Sequence, residues 1–523
     1  MFADGTVRKI NDVTPGGLVW LSEGTGRSDP ISSSEVGSGA RRVVGPLHST
    51  PSVVKATRPS DRQPSGLGKA VGKGGRSRHG HQTSKGGRVE SSLSERPRSD
   101  RPRRLADWLN PTGAKKVHSL VDKVYKRKNL ELAWEKVRSN GGSCGVDGQS
   151  LAEFEEVLAE QLNRLGQELR TDTYQPLPVR RHLIPKAGQP GKFRPLGIPA
   201  IYDRGCQQAL LNRLEPIFEP VFDDASFGYR KGRSAKDALR KVWKELDAGA
   251  EWIVDADLKD FFGSVDHEKL LTLVAQRVSD GRVLRLIRGM LQAGVLADGQ
   301  RLPTEQGTAQ GGIISPLLSN ILLTPFDREL RRRGYRLTRY ADDWVVTGHT
   351  RAEAQRALAE ATALLKTLGV TLNAEKTRIV HVQVGFEFLG YKIKRGTRPL
   401  RLAPDKIRSG VRSGGLYAYP RQKSIEHFKD QIRRRTRRKA PVTIPELVAE
   451  LNPVLRGWGL YYHKAHVRKL FAQLDRWVLR RIWAQRFKRW RCRGWKRLPE
   501  RRLYGELGLV RLIALIPSIR LRE

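Results

Sequence analysis

The stretch Arg339-Tyr340-Ala341-Asp342-Asp343-Trp344-Val345-Val346 sets two adjacent carboxylates between hydrophobic residues, and it reads as a β-hairpin. Leu337, Thr338 and Tyr340 supply strand formers before the pair, and Val345 and Val346 supply β-branched ones after it. Two acids at a tight turn are expected at an exposed tip, and an isolated Asp-Asp dipeptide there is normally a solvated turn. The company of this one points elsewhere. About 85 residues upstream a second strand-like run, Trp252-Ile253-Val254-Asp255-Ala256-Asp257-Leu258, carries acids on alternate positions and leads into Phe261-Phe262. A third carboxylate beside the first two makes a hard-oxygen site for Mg²⁺, the arrangement that two-metal phosphoryl transfer requires. Alternation puts Asp255 and Asp257 on the same face, so periodicity leaves open which of them serves.

The 523 residues exceed one ordinary domain, and 38% hydrophobic content supports sizeable cores, so two or three domains are expected. A net charge of +43 calls for a polyanionic partner, with nucleic acid the first expectation and an anionic membrane surface the weaker one. No run of 18 apolar residues and no apolar core of signal-peptide length is present, which points to a soluble, cytoplasmic protein. Cys144, Cys206 and Cys492 form no CxxC pair, which argues against a disulfide framework and a cysteine-rich zinc site.

Residues 1–104 differ from the rest. Between Val43 and Asp107 there is no Phe, Tyr or Trp, while Gly, Ser, Arg and Pro dominate, so the segment reads as a disordered basic leader. Order is expected from about Leu105. Helical spacing recurs through Val117, Leu120, Val121 and Val124, through Leu130, Ala133, Trp134 and Val137, and from Leu151 to about Arg170. Arg180–Lys186 and Lys192–Pro199, joined by a Gly-bearing turn, read as a cationic hairpin able to close over phosphates. A helix is expected over Asp203–Phe218, and another from Ser234 as N-cap after the basic loop Phe227-Gly228-Tyr229-Arg230. Farther on come a helical stretch from His267 to Leu296, a Gly-rich block at Gly307–Gly312, a helix over Arg351–Leu368 stopped by Gly369, and strands at Ile379–Gln383 and Phe386–Lys394.

With these blocks in order, the chain resembles a group II intron-encoded reverse transcriptase, also called a maturase, over roughly residues 105–495. The resemblance rests on Ile184-Pro185-Lys186 with Arg194-Pro195-Leu196-Gly197, on Phe227–Arg230, on Asp257–Phe262 with Val265-Asp266-His267, and on Gln310-Gly311-Gly312. Tyr340–Asp343, Leu372–Thr377 and Phe386–Tyr391 complete it. It implies an α+β right-hand polymerase: fingers and an antiparallel palm sheet over 105–395, then an α-helical thumb and maturase domain over 396–495. A short tail at 496–523 with no nuclease domain follows. It also implies catalytic and metal-holding roles for Asp257, Asp342 and, less directly, Asp343, with two Mg²⁺ ions and Mn²⁺ as a substitute. Lys186 and Arg194 fall where the triphosphate is gripped, Phe262 at the steric gate against a ribose 2′-hydroxyl, Gln310 beside the nucleotide, and Lys376 near substrate phosphates. Gly263 and Ala309 depart from the family, which commonly has Asp and Pro there.

From residue 401 onward stand 32 Lys and Arg against 9 Asp and Glu, more than half of the net charge, densest at Arg433–Lys439. Trp458, Tyr461, Tyr462, Trp477, Trp483, Trp490 and Trp495 interleave with them. Phe471, Leu474, Val478 and Ile482 mark the buried face of one helix; the remaining pattern suits backbone contact and base stacking on RNA. Leu455–Tyr462 resembles the maturase signature. The implied partners are intron RNA, an RNA template with a DNA primer, deoxynucleoside triphosphates and target DNA at the bacterial nucleoid. Oligomeric state stays open, a dimer included. A reverse transcriptase recruited to a CRISPR-associated or diversity-generating system, or a splicing cofactor with a silent polymerase fold, are the competing readings.

Overall fold

The computed structural model describes residues 109–110, 113–185, 191, 193–396, 415–437, 442–487 and 494–517. The leader at 1–104, the expected onset of order at Leu105, and Lys186, Lys439, Trp490 and Cys492 lie outside them. The described strands are β1 (Val179–Pro185), β2 (Phe193–Ile198), β3 (Trp252–Ala256), β4 (Val295–Ala297) and β5 (Gln300–Leu302). They continue with β6 (Arg336–Tyr340), β7 (Asp343–Gly348), β8 (Arg378–His381), β9 (Phe386–Phe388), β10 (Tyr391–Arg395) and β11 (Leu416–Pro420). The architecture is mixed, with antiparallel sheets followed by a helical C-terminal region.

The sheet that positions the acids has the order β6-β7-β3-β8 and is antiparallel throughout. Its register explains why the strand sequences are apolar on both alternations. Val254, Val346, Leu337 and Trp344 enter one core, where Trp344 meets Phe326 edge-on at 5.2 Å. Ile253, Val345 and Tyr340 enter a second core with Ala238, Val242 and Leu246. The sheet is therefore covered on both faces, by the helices Ser315–Arg332 and Arg351–Thr367 on one and by Ala235–Asp247 on the other. Ser234 caps Ala235–Asp247 with a full capping box, as its position predicts.

A second sheet, β2-β1-β4-β5, contains the cationic hairpin. Arg180↔Ile198 to Pro185↔Phe193 pair antiparallel, while Val179 and Arg180 add a parallel contact to β4. β4 was not foreseen. The helical stretch expected over His267–Leu296 divides into His267–Val274 and Gly281–Gln292, and Val295 and Leu296 then join β4. Asp280 makes that division by accepting the N–H groups of Arg282 and Val283, a local cap that ends any continuous helix. The helix expected from Leu151 breaks at Val157, with Phe154 stacked on Trp134 at 4.9 Å and Leu162, Leu165 and Leu169 in the main core. The two halves serve different cores.

The strand expected over Phe386–Lys394 is a hairpin, because Leu389 and Gly390 take φ 48 and 80 between β9 and β10. β11-β10-β9 leads to the helices Gln422–Arg435, Ile444–Tyr462 and Arg468–Phe487. Phe471, Leu474, Val478 and Ile482 are buried as their spacing predicts, and Arg476, Arg480 and Arg486 are exposed. Trp458 and Tyr462, however, are core residues, with Trp458 stacked on Phe428 at 4.5 Å. Residues 496–517, the described part of the expected tail, are packed. Leu498, Leu503, Leu509 and Leu512 are buried in that core, and Asp475 accepts the N–H groups of Leu512 and Ile513 at 2.8 and 3.1 Å.

Arg339 of β6 is fully buried and ion-paired with the equally buried Asp327, at 2.6 and 2.7 Å. Removing one partner of such a pair strands the other charge. Arg339→Met is expected to lower stability by about 3–5 kcal/mol, read by urea unfolding, and Arg339→Met with Asp327→Leu to recover most of it. A loss below about 1 kcal/mol for the single variant would contradict the role given to this pair.

Candidate active site

Asp257 follows the last residue of β3, where the chain turns to pair with 371–373. Its carbonyl accepts the Asn373 N–H at 2.8 Å, and Leu258 bridges Leu372. Asp342 lies in the two-residue link between β6 and β7, closed by the pair Tyr340↔Asp343. Ala341 takes φ 59, the sign a type II′ link needs at its first position. Arg339 Nη1 donates to the Ala341 carbonyl at 2.8 Å. Gly228 packs so closely that a Cβ there would lie 2.3 Å from the Ala341 nitrogen. The tip expected to be exposed is thus half-buried, because a loop distant in sequence covers it.

Phe262 sits in the 3₁₀ turn Phe261–Gly263, half-buried, with its ring edge-on to Phe261 at 5.4 Å. Its carbonyl accepts the Thr308 N–H at 2.7 Å. Gly263 is explained locally: a Cβ there would lie 2.4 Å from an Asp260 carboxylate oxygen. The Gly307–Gly312 block is also stitched to the cationic hairpin, since Gly197 N–H donates to the Gln310 carbonyl at 2.8 Å. Gly311, at φ 123, comes so near that its Cβ would lie 2.6 Å from the Gly197 oxygen. Phe262 and Gln310 therefore stand on one connected strip, with exposed Arg194 opposite Ile184 in β1–β2. One residue given no role from sequence also holds this region: His267 donates from Nε2 to the Gly307 carbonyl at 2.6 Å. Its only sequence signal was membership of a quoted motif.

Comparison with known proteins places most of these residues in one family. Residues 184–393 match the family described as reverse transcriptase (RNA-dependent DNA polymerase), and residues 425–503 match the group II intron maturase-specific domain. Protein YkfC of Escherichia coli strain K12 is 35% identical over 338 residues, 57% of this chain and 88% of that protein. The group II intron-encoded protein LtrA of Lactococcus lactis subsp. cremoris is 29% identical over 411 residues, 63% of this chain and 68% of LtrA. The chain belongs to the group II intron-encoded reverse transcriptases. It is an RNA-directed DNA polymerase with a maturase domain and a role in intron splicing.

In this reverse transcriptase the acids form one electrostatic neighbourhood. Burial pushes the Asp342 carboxyl above its usual range, and the charge of Asp257 adds to that. Asp343 is pushed up to about 8, by burial first and then by Asp342, Asp255 and Asp257. Asp255 is bound by Arg378, whose Nε and Nη2 both donate to its Oδ2 at 3.0 Å. Asp257 accepts from Lys376 Nζ at 2.6 Å. Among the described residues no three His, Cys, Asp or Glu side chains converge as a ready-made metal cage. The donor chemistry nonetheless fits a hard divalent cation: carboxylate oxygens whose mutual repulsion a cation relieves, one already facing an ammonium group.

The raised Asp343 carboxyl has a stability consequence. A carboxyl whose folded pKa lies above its unfolded value stabilises the fold below the unfolded value and loses that contribution as pH rises towards about 8. In EDTA, Asp343→Asn is expected to raise the melting temperature by a few degrees at pH 8 and to change it little at pH 4. Equal shifts at both pH values would contradict this account.

Proposed function

We propose that the β6-β7-β3-β8 sheet is the polymerase palm, that the β1–β2 hairpin belongs to the fingers, and that the helices after β11 form the thumb and maturase domain. The observation that carries this is the convergence of Asp257 and Asp342, from separate strands, into one field of mutual repulsion next to a strip joining Phe262, Gln310 and β2.

In this reading Asp257 and Asp342 supply the oxygens that hold two Mg²⁺ ions, or Mn²⁺ in their place, with Asp343 in support. Bound there, such ions activate a primer 3′-hydroxyl and neutralise the triphosphate. Arg194, with Lys186, grips the triphosphate through charge-assisted hydrogen bonds. Phe262 occupies the space a ribose 2′-hydroxyl needs, favouring deoxynucleotides. Gln310 borders the base, its place fixed by the bond from Gly197. Lys376 moves from Asp257 to substrate phosphates as they arrive. The substrates are deoxynucleoside triphosphates and an RNA template with a DNA primer, and the wider partners are intron RNA and target DNA at the bacterial nucleoid, in the cytoplasm.

The maturase region binds intron RNA mainly through phosphates. Among the described residues the exposed Trp495, and the half-buried Trp477 with Lys429 and Arg433 at 6.0 and 5.9 Å from its ring, are the candidates for base stacking. Dependence on salt should accordingly be steep.

Asp342→Ala is expected to abolish primer extension on an RNA template while leaving intron RNA affinity within about twofold of the parent. Undiminished incorporation by that variant would sink the assignment. Lys429→Ala with Arg433→Ala is expected to weaken RNA binding and flatten its salt dependence by about two, measured by filter binding across a salt series, with polymerisation on a short primed template preserved.

A further inference from the structure

The turn Phe227–Arg230 is clamped on both sides of one residue. Before it, Phe227 N–H donates to the Arg339 carbonyl at 2.9 Å, Asn320 Nδ2 donates to the Gly228 carbonyl at 3.0 Å, and Gly228 abuts the Ala341 nitrogen. After it, the buried Arg230 donates to Glu219 Oε1 at 2.8 Å and to the carbonyls of Asp223 and Ser226 at 2.6 and 2.9 Å. Between them Tyr229 is held at φ 58 and leaves 43% of its surface exposed. A non-glycine residue with positive φ is uncommon, and a large ring there gains little for the fold while exposed. Its neighbours are informative. The hydroxyl is pushed up to about 12, by partial burial first and then by the negative charge of Asp342, while Arg194 pulls the other way. The ring therefore stands in the fields of both the hairpin acid and the exposed fingers cation.

We propose that Tyr229 is a substrate-contacting residue: its ring is a rigid platform against which the incoming deoxynucleoside triphosphate packs, between Arg194 and Asp342. This rests on the placement of the triphosphate given above. Packing on an aromatic face tolerates all four bases, as a template-directed polymerase requires, because every base presents a π-face. The positive φ gives the platform a fixed direction, set by the same backbone contact that covers the Asp342 link.

The test is steady-state kinetics of single-nucleotide addition with Tyr229→Phe and Tyr229→Gly. Glycine suits φ 58 better than tyrosine does, so the melting temperature should not fall in that variant. Tyr229→Gly is expected to raise KM for deoxynucleotides about tenfold with kcat nearly unchanged. Tyr229→Phe should stay within about twofold of the parent, and Kd for the primer–template should be unaffected in both. A KM within about twofold of the parent for Tyr229→Gly would falsify the proposal. A loss appearing in primer–template Kd instead would place the ring against the duplex and overturn it equally. Arg194→Ala separates this from the underlying reading. If it leaves KM unchanged, the triphosphate placement fails and takes the Tyr229 proposal with it; a rise there without one in Tyr229→Gly overturns the Tyr229 proposal alone.

Discussion

Arg339 has five guanidinium N–H groups, and each has an acceptor inside the protein. Asp327 takes two, and Asn320 Oδ1, Ser226 Oγ and the Ala341 carbonyl take one each, at 3.1, 2.8 and 2.8 Å. A charge with no solvent exposure is costly, and only this full set of partners makes the burial tolerable. The consequence reaches three elements at once: the helix Ser315–Arg332 through Asn320 and Asp327, the turn ahead of Gly228 through Ser226, and the β6–β7 link through Ala341. Ala341 holds an unusual positive φ with its carbonyl bonded by Arg339 of β6 and its nitrogen packed against Gly228 from outside the hairpin. The direction of Asp342, one residue on, depends on that arrangement.

What was legible in the sequence is what local rules determine. The hairpin around Asp342, the strand at Trp252, the N-cap at Ser234 and the glycine stop at Gly369 all follow from period, cap or turn chemistry within a few residues. Partners far along the chain were not legible. Arg339 flanks an acid pair and carries a charge, so nothing local marks it as buried. The expected exposure of the tip was wrong because Gly228, more than a hundred residues earlier, covers it. The helical stretch expected from His267 is divided where Asp280 caps locally and also accepts the N–H groups of Leu120 and Val121 from another segment.

The C-terminal third shows the same division. Helical period identified the buried face of Arg468–Phe487, because burial repeats along one element. Composition did not tell which aromatics face a core. Trp458 and Tyr462 fill one, and Tyr461 and Tyr462 donate their hydroxyls to the Leu389 and Gly390 carbonyls at 2.8 and 3.1 Å. The Leu455–Tyr462 segment is thus a seam that ties the helices to the β9–β10 corner, satisfying carbonyls that the positive φ of Leu389 and Gly390 turns out of the sheet. A signature read for its function turns out to have a structural reason of its own.

Periodicity placed Asp255 and Asp257 on one face and went no further; their cations distinguish them. Asp255 lies within the ladder, paired across to Val345, and its oxygen receives both bonds of an Arg fork. A guanidinium in that geometry is preorganised and stays charged at any working pH, so Asp255, itself 14% exposed, keeps a two-bond counter-ion on a side chain that is 56% exposed. Asp257 lies past the end of the strand and meets a single ammonium group on a side chain that is 62% exposed. An exposed lysine has a flexible stem and a hydrated head, and an exposed pair of this kind contributes little to stability. It is therefore an exchangeable counter-ion. Two acids that share a face thus differ in their cations: Asp255 is held by both bonds of one guanidinium, and Asp257 by a single bond from an exposed ammonium.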